Sequence, residues 1–123
     1  MSEDWELAEV LDLLSDEYAR SILAATSVEP MSAKQLAEQC DASLPTIYRR
    51  VERLQEYDLL EERTRVDLTG SHHKMYSATL SEFSMDLEDG GYEGTIERVS
   101  RADFPGEDET DTADRFTEMW ENL

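Results

Sequence analysis

Apolar positions recur along this chain with a spacing that changes from helical to alternating. Trp5, Leu7, Ala8, Val10, Leu11 and Leu14 form a broad stripe that predicts a first helix over 5–14. Ser15 offers an N-cap for a second helix, and Asp16 and Glu17 place negative charge in its first turn, where the helix dipole favours it. That helix is expected to reach about Ala25, with Tyr18, Ala19, Ile22, Leu23 and Thr26 on its inner face, before a short connection over Thr26–Pro30. Ser32-Ala33-Lys34-Gln35 then has the form of a capping box, and Leu36, Ala37 and Cys40 fall on one face behind it. Asp41 stands at a turn position that needs a left-handed residue, which Asp tolerates better than most. Ser43 caps a fourth helix over Leu44–Tyr57, and Pro45 in its first turn costs no hydrogen bond. Ile47, Val51 and Leu54, at i, i+4 and i+7, fix its buried face.

The spacing then shortens to two. Leu59–Leu68 and His73–Leu80 read as the strands of a hairpin, with Leu60, Glu62, Thr64, Val66 and Leu68 on one side and Arg63 and Arg65 on the other. Its tip is Thr69-Gly70-Ser71-His72, where Gly70 can take a positive φ. Two helices joined by a tight turn and followed at once by a hairpin make a winged helix-turn-helix arrangement. A second alternating pair follows: Ser81–Glu88, a turn at Gly90-Gly91, and Tyr92–Val99. Asp103–Thr112 is an acidic connector, and Thr112–Leu123 predicts a terminal helix with Phe116, Met119, Trp120 and Leu123 on one face. The expected class is mostly α with a small antiparallel β component. Residues 1–80 would form the winged helix-turn-helix domain, and 81–123 the second hairpin, connector and helix within the same compact unit. The apolar stripe of the last helix must be covered, by its own domain or by a second copy. The second is favoured, with Trp5, Phe116, Met119, Trp120 and Leu123 as the dimerisation set.

Charge changes what the fourth helix means. The 123 residues carry a formal charge of −19, and lysine is nearly absent: Lys34 and Lys74 stand beside nine arginines. An Asp/Glu-rich, Lys-poor surface resembles proteins of salt-accumulating microbes, particularly haloarchaea, in which molar salt screens self-repulsion and carboxylates hold water. The acidity is uneven. Residues 31–78 hold seven basic residues against eight acidic ones, whereas the remainder holds four against twenty-two. The spared middle contains Arg49, Arg50 and Arg53 on one helix, as a surface facing a polyanion requires.

The run QLAEQCDASLPTIYRRVERLQEYDLLEERT, followed by HKMYSATL, resembles the DNA-binding domain of ArsR-like winged-helix regulators. The Ser43-x-Pro45-Thr46-x-x-Arg49-Arg50-x-x-x-Leu54 pattern and the Leu59-Leu60 entry to the wing carry the likeness, which covers roughly the first eighty residues. It implies that the start of the fourth helix enters the major groove and that the hairpin lies along the backbone or minor groove of double-stranded DNA. The residues so implicated are Ser43, Leu44, Thr46, Tyr48, Arg49 and Arg50, with Arg63, Arg65 and Lys74 on the wing. Arg53 is either a phosphate contact or half of an intrahelical pair with Glu56, as Arg49 can pair with Glu52.

Other chemistries fit less well. Cys40 is the only cysteine, so no internal disulfide forms, and on the inner side of its helix it reads as a small hydrophobe. His72-His73 lack the ligand sets of metal sensors and suit phosphate or solvent better. The carboxylates are spread over exposed faces without a nucleophile or a phosphate-cradling glycine loop, so neither an enzyme nor a cofactor is expected. No stretch reaches membrane-spanning length and the first ten residues do not read as a secretion signal, so a cytoplasmic protein is expected. The expectation is a homodimeric, sequence-specific transcription regulator, its effector, if any, unspecified. The alternative is a winged-helix module that docks another protein without reading DNA.

Overall fold

The computed structural model describes the backbone of residues 2–101 and the side chains of residues 7–101. Four helices come first: α1 (Ser2–Leu14), α2 (Glu17–Val28), α3 (Ala33–Cys40) and α4 (Leu44–Glu56). Four strands follow as two antiparallel hairpins, β1 (Leu60–Val66) with β2 (His72–Ala78), and β3 (Leu80–Glu88) with β4 (Gly91–Arg98). The connector, the terminal helix and the proposed dimerisation residues Phe116, Met119, Trp120 and Leu123 lie outside the described residues, as does the side chain of Trp5.

Helix boundaries are set by side-chain caps. The cap of α2 is Asp16, not Ser15: the Ala19 amide donates to Asp16 Oδ2 at 2.8 Å, while the Ser15 hydroxyl turns back to the Asp12 carbonyl. The helix also runs three residues past Ala25, to Val28. At α3 the capping box is complete, with Gln35 N–H donating to Ser32 Oγ and Ser32 N–H to Gln35 Oε1. Asp41 ends α3 in the left-handed region, φ 52°, and its amide bonds back to the Ala37 and Glu38 carbonyls. Ser43 then caps α4 by accepting from Thr46 N–H.

Leu36 from α3, Ile47, Val51 and Leu54 from α4, and Ala19, Ile22 and Leu23 from α2 meet in one core. The base of the first hairpin closes it. Leu59, Leu60, Met75, Tyr76, Ser77 and Ala78 are all buried, so β2 is covered on both faces there. Burial pushes the Tyr76 phenol up to about 12. Met31 adds a one-residue bridge along β2, exchanging both backbone hydrogen bonds with Tyr76 at 3.0 and 2.8 Å. Beyond its base the hairpin leaves the core. Glu62, Thr64, Val66 and Leu68, expected to share one face with Leu60, are exposed, since they stand beyond the buried base of the hairpin. Cys40 is half-buried against the core, and burial raises its thiol pKa.

The second hairpin has a two-residue turn in which Asp89 (φ 53°) and Gly90 (φ 78°) both take positive φ, as the right-handed twist of the strands requires. Its β4 strand lies against α1. A Cβ at Gly94 would fall 2.6 Å from Leu7 Cδ1, so the helix approaches as closely as glycine allows.

Candidate nucleic-acid interface

Caps aim the fourth helix. With Ser43 holding its first turn and Ile47, Val51 and Leu54 pinned in the core, the residues left wholly or partly outside at its N-terminal half are Leu44, Pro45, Thr46, Tyr48 and Arg49. Leu44 and Tyr48 are 42% and 48% exposed. Thr46 is half-buried and accepts a hydrogen bond from the Ser43 hydroxyl at 3.0 Å. Arg49 is exposed and forms no ion pair among the described residues, so the intrahelical pairing with Glu52 does not form.

The other two arginines of α4 are turned back to the helices behind it. Arg50 Nε and Nη2 donate to Asp16 Oδ2 and Oδ1 at 3.0 and 3.1 Å, a bidentate pair that crosses from α4 to the cap of α2. Its guanidinium also lies 5.8 Å from the centroid of the Tyr18 ring. The pair keeps the Asp16 carboxyl below the usual carboxylate range, chiefly through the Arg50 hydrogen bonds, and raises Arg50 for the same reason. Arg53 reaches Asp12 of α1 at 3.6 Å rather than Glu56 on its own helix. Tyr57, at the end of α4, donates to Glu9 of α1. One flank of α4 is thereby tied down by contacts that span 34 to 48 residues.

The first hairpin brings further cations to the same side. A groove of about 540 Å³ opens between the start of α3, Tyr48 of α4 and the outer part of β1–β2. Lys34, Arg65, Lys74, His72 and His73 line it together with Ser32, Gln35 and Tyr48, and among the described residues no Asp or Glu does. Lys74 has Glu62 3.8 Å away, and Arg63 has Glu61 at 3.5 Å, so these two wing cations are partly offset. Arg65 and Lys34 form no ion pair among the described residues. Asp67 builds the tip: its Oδ1 accepts from the Thr69 and Ser71 amides and the Thr69 hydroxyl, while Oδ2 lies 3.0 Å from His73 Nε2. Those bonds, that of the Thr69 hydroxyl foremost, hold the Asp67 carboxyl far below the usual carboxylate range.

Residues 14–63 match the family model of a helix-turn-helix domain. The chain carries a helix-turn-helix domain. The match runs from the last residue of α1 through α4 and into β1, and the hairpin that follows makes the domain a winged one. No curated protein matches the chain. Of the residues expected to meet DNA, the domain gathers Ser43, Leu44, Thr46, Tyr48 and Arg49 at one helix end, with Arg65 and Lys74 across the groove. Arg50 and Arg53 stand apart, on the flank that faces α1 and α2. Lys34 lines the same groove, outside the set that the resemblance implicates. Its position directly after a capped helix start was the available signal, since a cation there projects beside free backbone amides.

Proposed function

We propose that this protein is a sequence-specific, double-stranded-DNA-binding transcription regulator. The observation that carries the reading is the acid-free groove. In a chain with 30 acidic residues, the cleft between α3, α4 and the wing is lined by five basic or imidazole side chains and, among the described residues, no carboxylate. The start of α4 enters the major groove, where Leu44, Tyr48 and Arg49 meet base edges and Ser43 and Thr46 meet the backbone. Lys34, Arg65, Lys74 and the wing-tip histidines follow the phosphates on one side. Arg50 and Arg53 act from behind, holding α4 at a fixed angle to α1 and α2. Arg63 contributes charge to the outer wing.

The active species is a homodimer that presents two α4 helices to two half-sites, of an ArsR-like type adapted to high salt. In molar salt the counterion-release contribution shrinks, so base-edge and apolar contacts carry more of the affinity. The test is fluorescence anisotropy with genomic fragments in molar KCl. Arg49→Ala should lower affinity for the best fragment by roughly ten-fold or more, as expected for one lost base contact of about 1–3 kcal/mol. Arg65→Ala should weaken all fragments alike and reduce the salt slope by about 0.9. Equal affinity for every fragment, unmoved by Arg49→Ala, would overturn the reading and favour a module that binds protein.

A further inference from the structure

The second hairpin is an amphipathic ribbon whose two faces differ sharply. Its register sets Phe83 opposite Ile96, Met85 opposite Gly94 and Leu87 opposite Tyr92, which gathers the apolar side chains on one face. The other face pairs Glu82 with Glu97 and Asp86 with Glu93. Among the described residues, helix α1 meets the apolar face through Leu7 and Val10 alone. There Leu7 and Val10 meet Phe83, Gly94 and Ile96 around a cleft of about 340 Å³. Past that cleft Met85, Leu87 and Tyr92 are 43%, 64% and 56% exposed. Met85 lies opposite Gly94 and two residues from Phe83, so cleft and bare end form one continuous apolar strip on a two-stranded ribbon, which is poorly stable without a covering layer.

We propose that this strip is the seat of residues 112–123, with Phe116, Met119, Trp120 and Leu123 as the side chains that fill it. Reach, length and charge each favour this occupant. The described chain ends at Arg101, whose guanidinium donates to the Ala78 carbonyl at 2.8 Å, beside the base of the ribbon. Residues 102–111 can span roughly 33 Å when extended, about the length of the nine-residue strand β3. The four apolar residues fall at i, i+3, i+4 and i+7, a stripe of about 10 Å at helical rise, against about 13 Å from Phe83 to Leu87 along the strand. Between them stand Glu118 and Glu121, which an apolar seat leaves pointing to solvent, away from the ribbon's own carboxylates. Arg115, the only cation of residues 102–123, heads the stripe where the acidic rim of the ribbon can receive it.

The assignment depends neither on DNA binding nor on dimerisation: the segment can arrive from the same chain or from the partner, and only the second makes the seat a dimer interface. The test uses the full chain in molar KCl with Trp5→Phe, leaving Trp120 as its only indole. Its emission should be blue-shifted relative to the unfolded chain, and Leu87→Asp should return it to the unfolded value. Ser84→Asp, on the acidic face, should leave it unmoved. In a Cys40→Ala background, Leu87→Cys with Met119→Cys should form a disulfide. A cross-linked dimer on a non-reducing gel assigns the segment to the partner, and a compact monomer to the same chain. Solvent-like emission in the parent overturns the proposal. So does blue emission that Leu87→Asp does not change while the helical circular dichroism is retained, which would put Trp120 elsewhere.

Discussion

The two hairpins of this protein have the same topology and similar length, and they are held in opposite ways. The wing, β1–β2, is anchored by its base: four consecutive residues of β2, Met75 to Ala78, are buried, while its outer half carries exposed cations. The ribbon, β3–β4, has no fully buried residue. It alternates along its length, rests on α1 by its apolar face and meets the core through the half-buried Leu80 and Ile96. Alternation is the mark of a strand with one wet face, whereas a continuous buried run marks a strand closed in on both sides. The difference teaches that the wing is part of the domain core, and the ribbon an appendage attached to it.

The largest contrast is expected between a buried side chain of the wing and an exposed one of the ribbon. Tyr76→Ala at the wing base should cost about 3–5 kcal/mol, by analogy with other large aromatic deletions, measured by urea unfolding in constant KCl. Thr95→Ala on the ribbon's exposed face should stay within about 0.5 kcal/mol, as surface substitutions do. Comparable losses at the two sites would end the distinction between core and appendage.

A mid-sized effect is expected where the core is tied to α4. Asp16→Ala removes both the α2 cap and the Arg50 partner, and should cost about 1–3 kcal/mol given the usual worth of a cap plus a half-exposed ion pair. The Asp16 pKa is lowered in the folded state, so its contribution is fully present above the unfolded carboxylate pKa of about 3.9 and is lost as pH falls through the lower folded value. Wild type should therefore lose its advantage over Asp16→Ala only in strong acid, which a pH series of unfolding midpoints will register.

Much of this was legible in the sequence, and what was not has a common physical origin. The Ser32 and Ser43 caps, the left-handed Asp41 and the buried triplet Ile47, Val51 and Leu54 all follow from contacts a few residues apart. Arg50 could not be read in the same way. Its partner Asp16 lies 34 residues earlier, and local spacing offered no reason to prefer it to solvent or DNA. The bridge between Met31 and Tyr76, and the attachment of Tyr57 to Glu9, are likewise products of tertiary approach. The wing tip failed for another reason. Gly70 is legible as the residue able to take a positive φ, while Asp67, which supplies most of the tip's hydrogen bonds, is an Asp at the end of a strand and looks like any surface carboxylate.

Smaller effects separate the hairpins by charge. At the wing tip, the depressed Asp67 pKa means that its bonds to Thr69 and Ser71 persist below the pH at which ordinary carboxylates protonate. The amide resonances of those two residues should hold their native shifts through the ordinary carboxylate range, and Asp67→Asn should move them at neutral pH. On the ribbon, Glu82 is raised by its hydrogen bond and repulsion with Glu97 directly opposite. A raised carboxyl favours the folded state below the unfolded pKa and loses that advantage as pH rises through the folded value. Glu82→Gln should thus raise the unfolding midpoint slightly at neutral pH in low salt, and leave it unchanged in molar KCl, where the repulsion is screened.

Arg98 joins the two hairpins to α4. It ends β4, and its guanidinium donates to the carbonyls of Tyr57 and Asp58 at 2.7 and 2.9 Å, where the chain leaves α4 for the wing. The Thr79 hydroxyl, between the hairpins, donates to the same Asp58 carbonyl. The exit of α4 and the hinge of the ribbon are thus one joint. Removing the Arg98 guanidinium would therefore take a bond from the exit of α4 and from the base of the ribbon in one step.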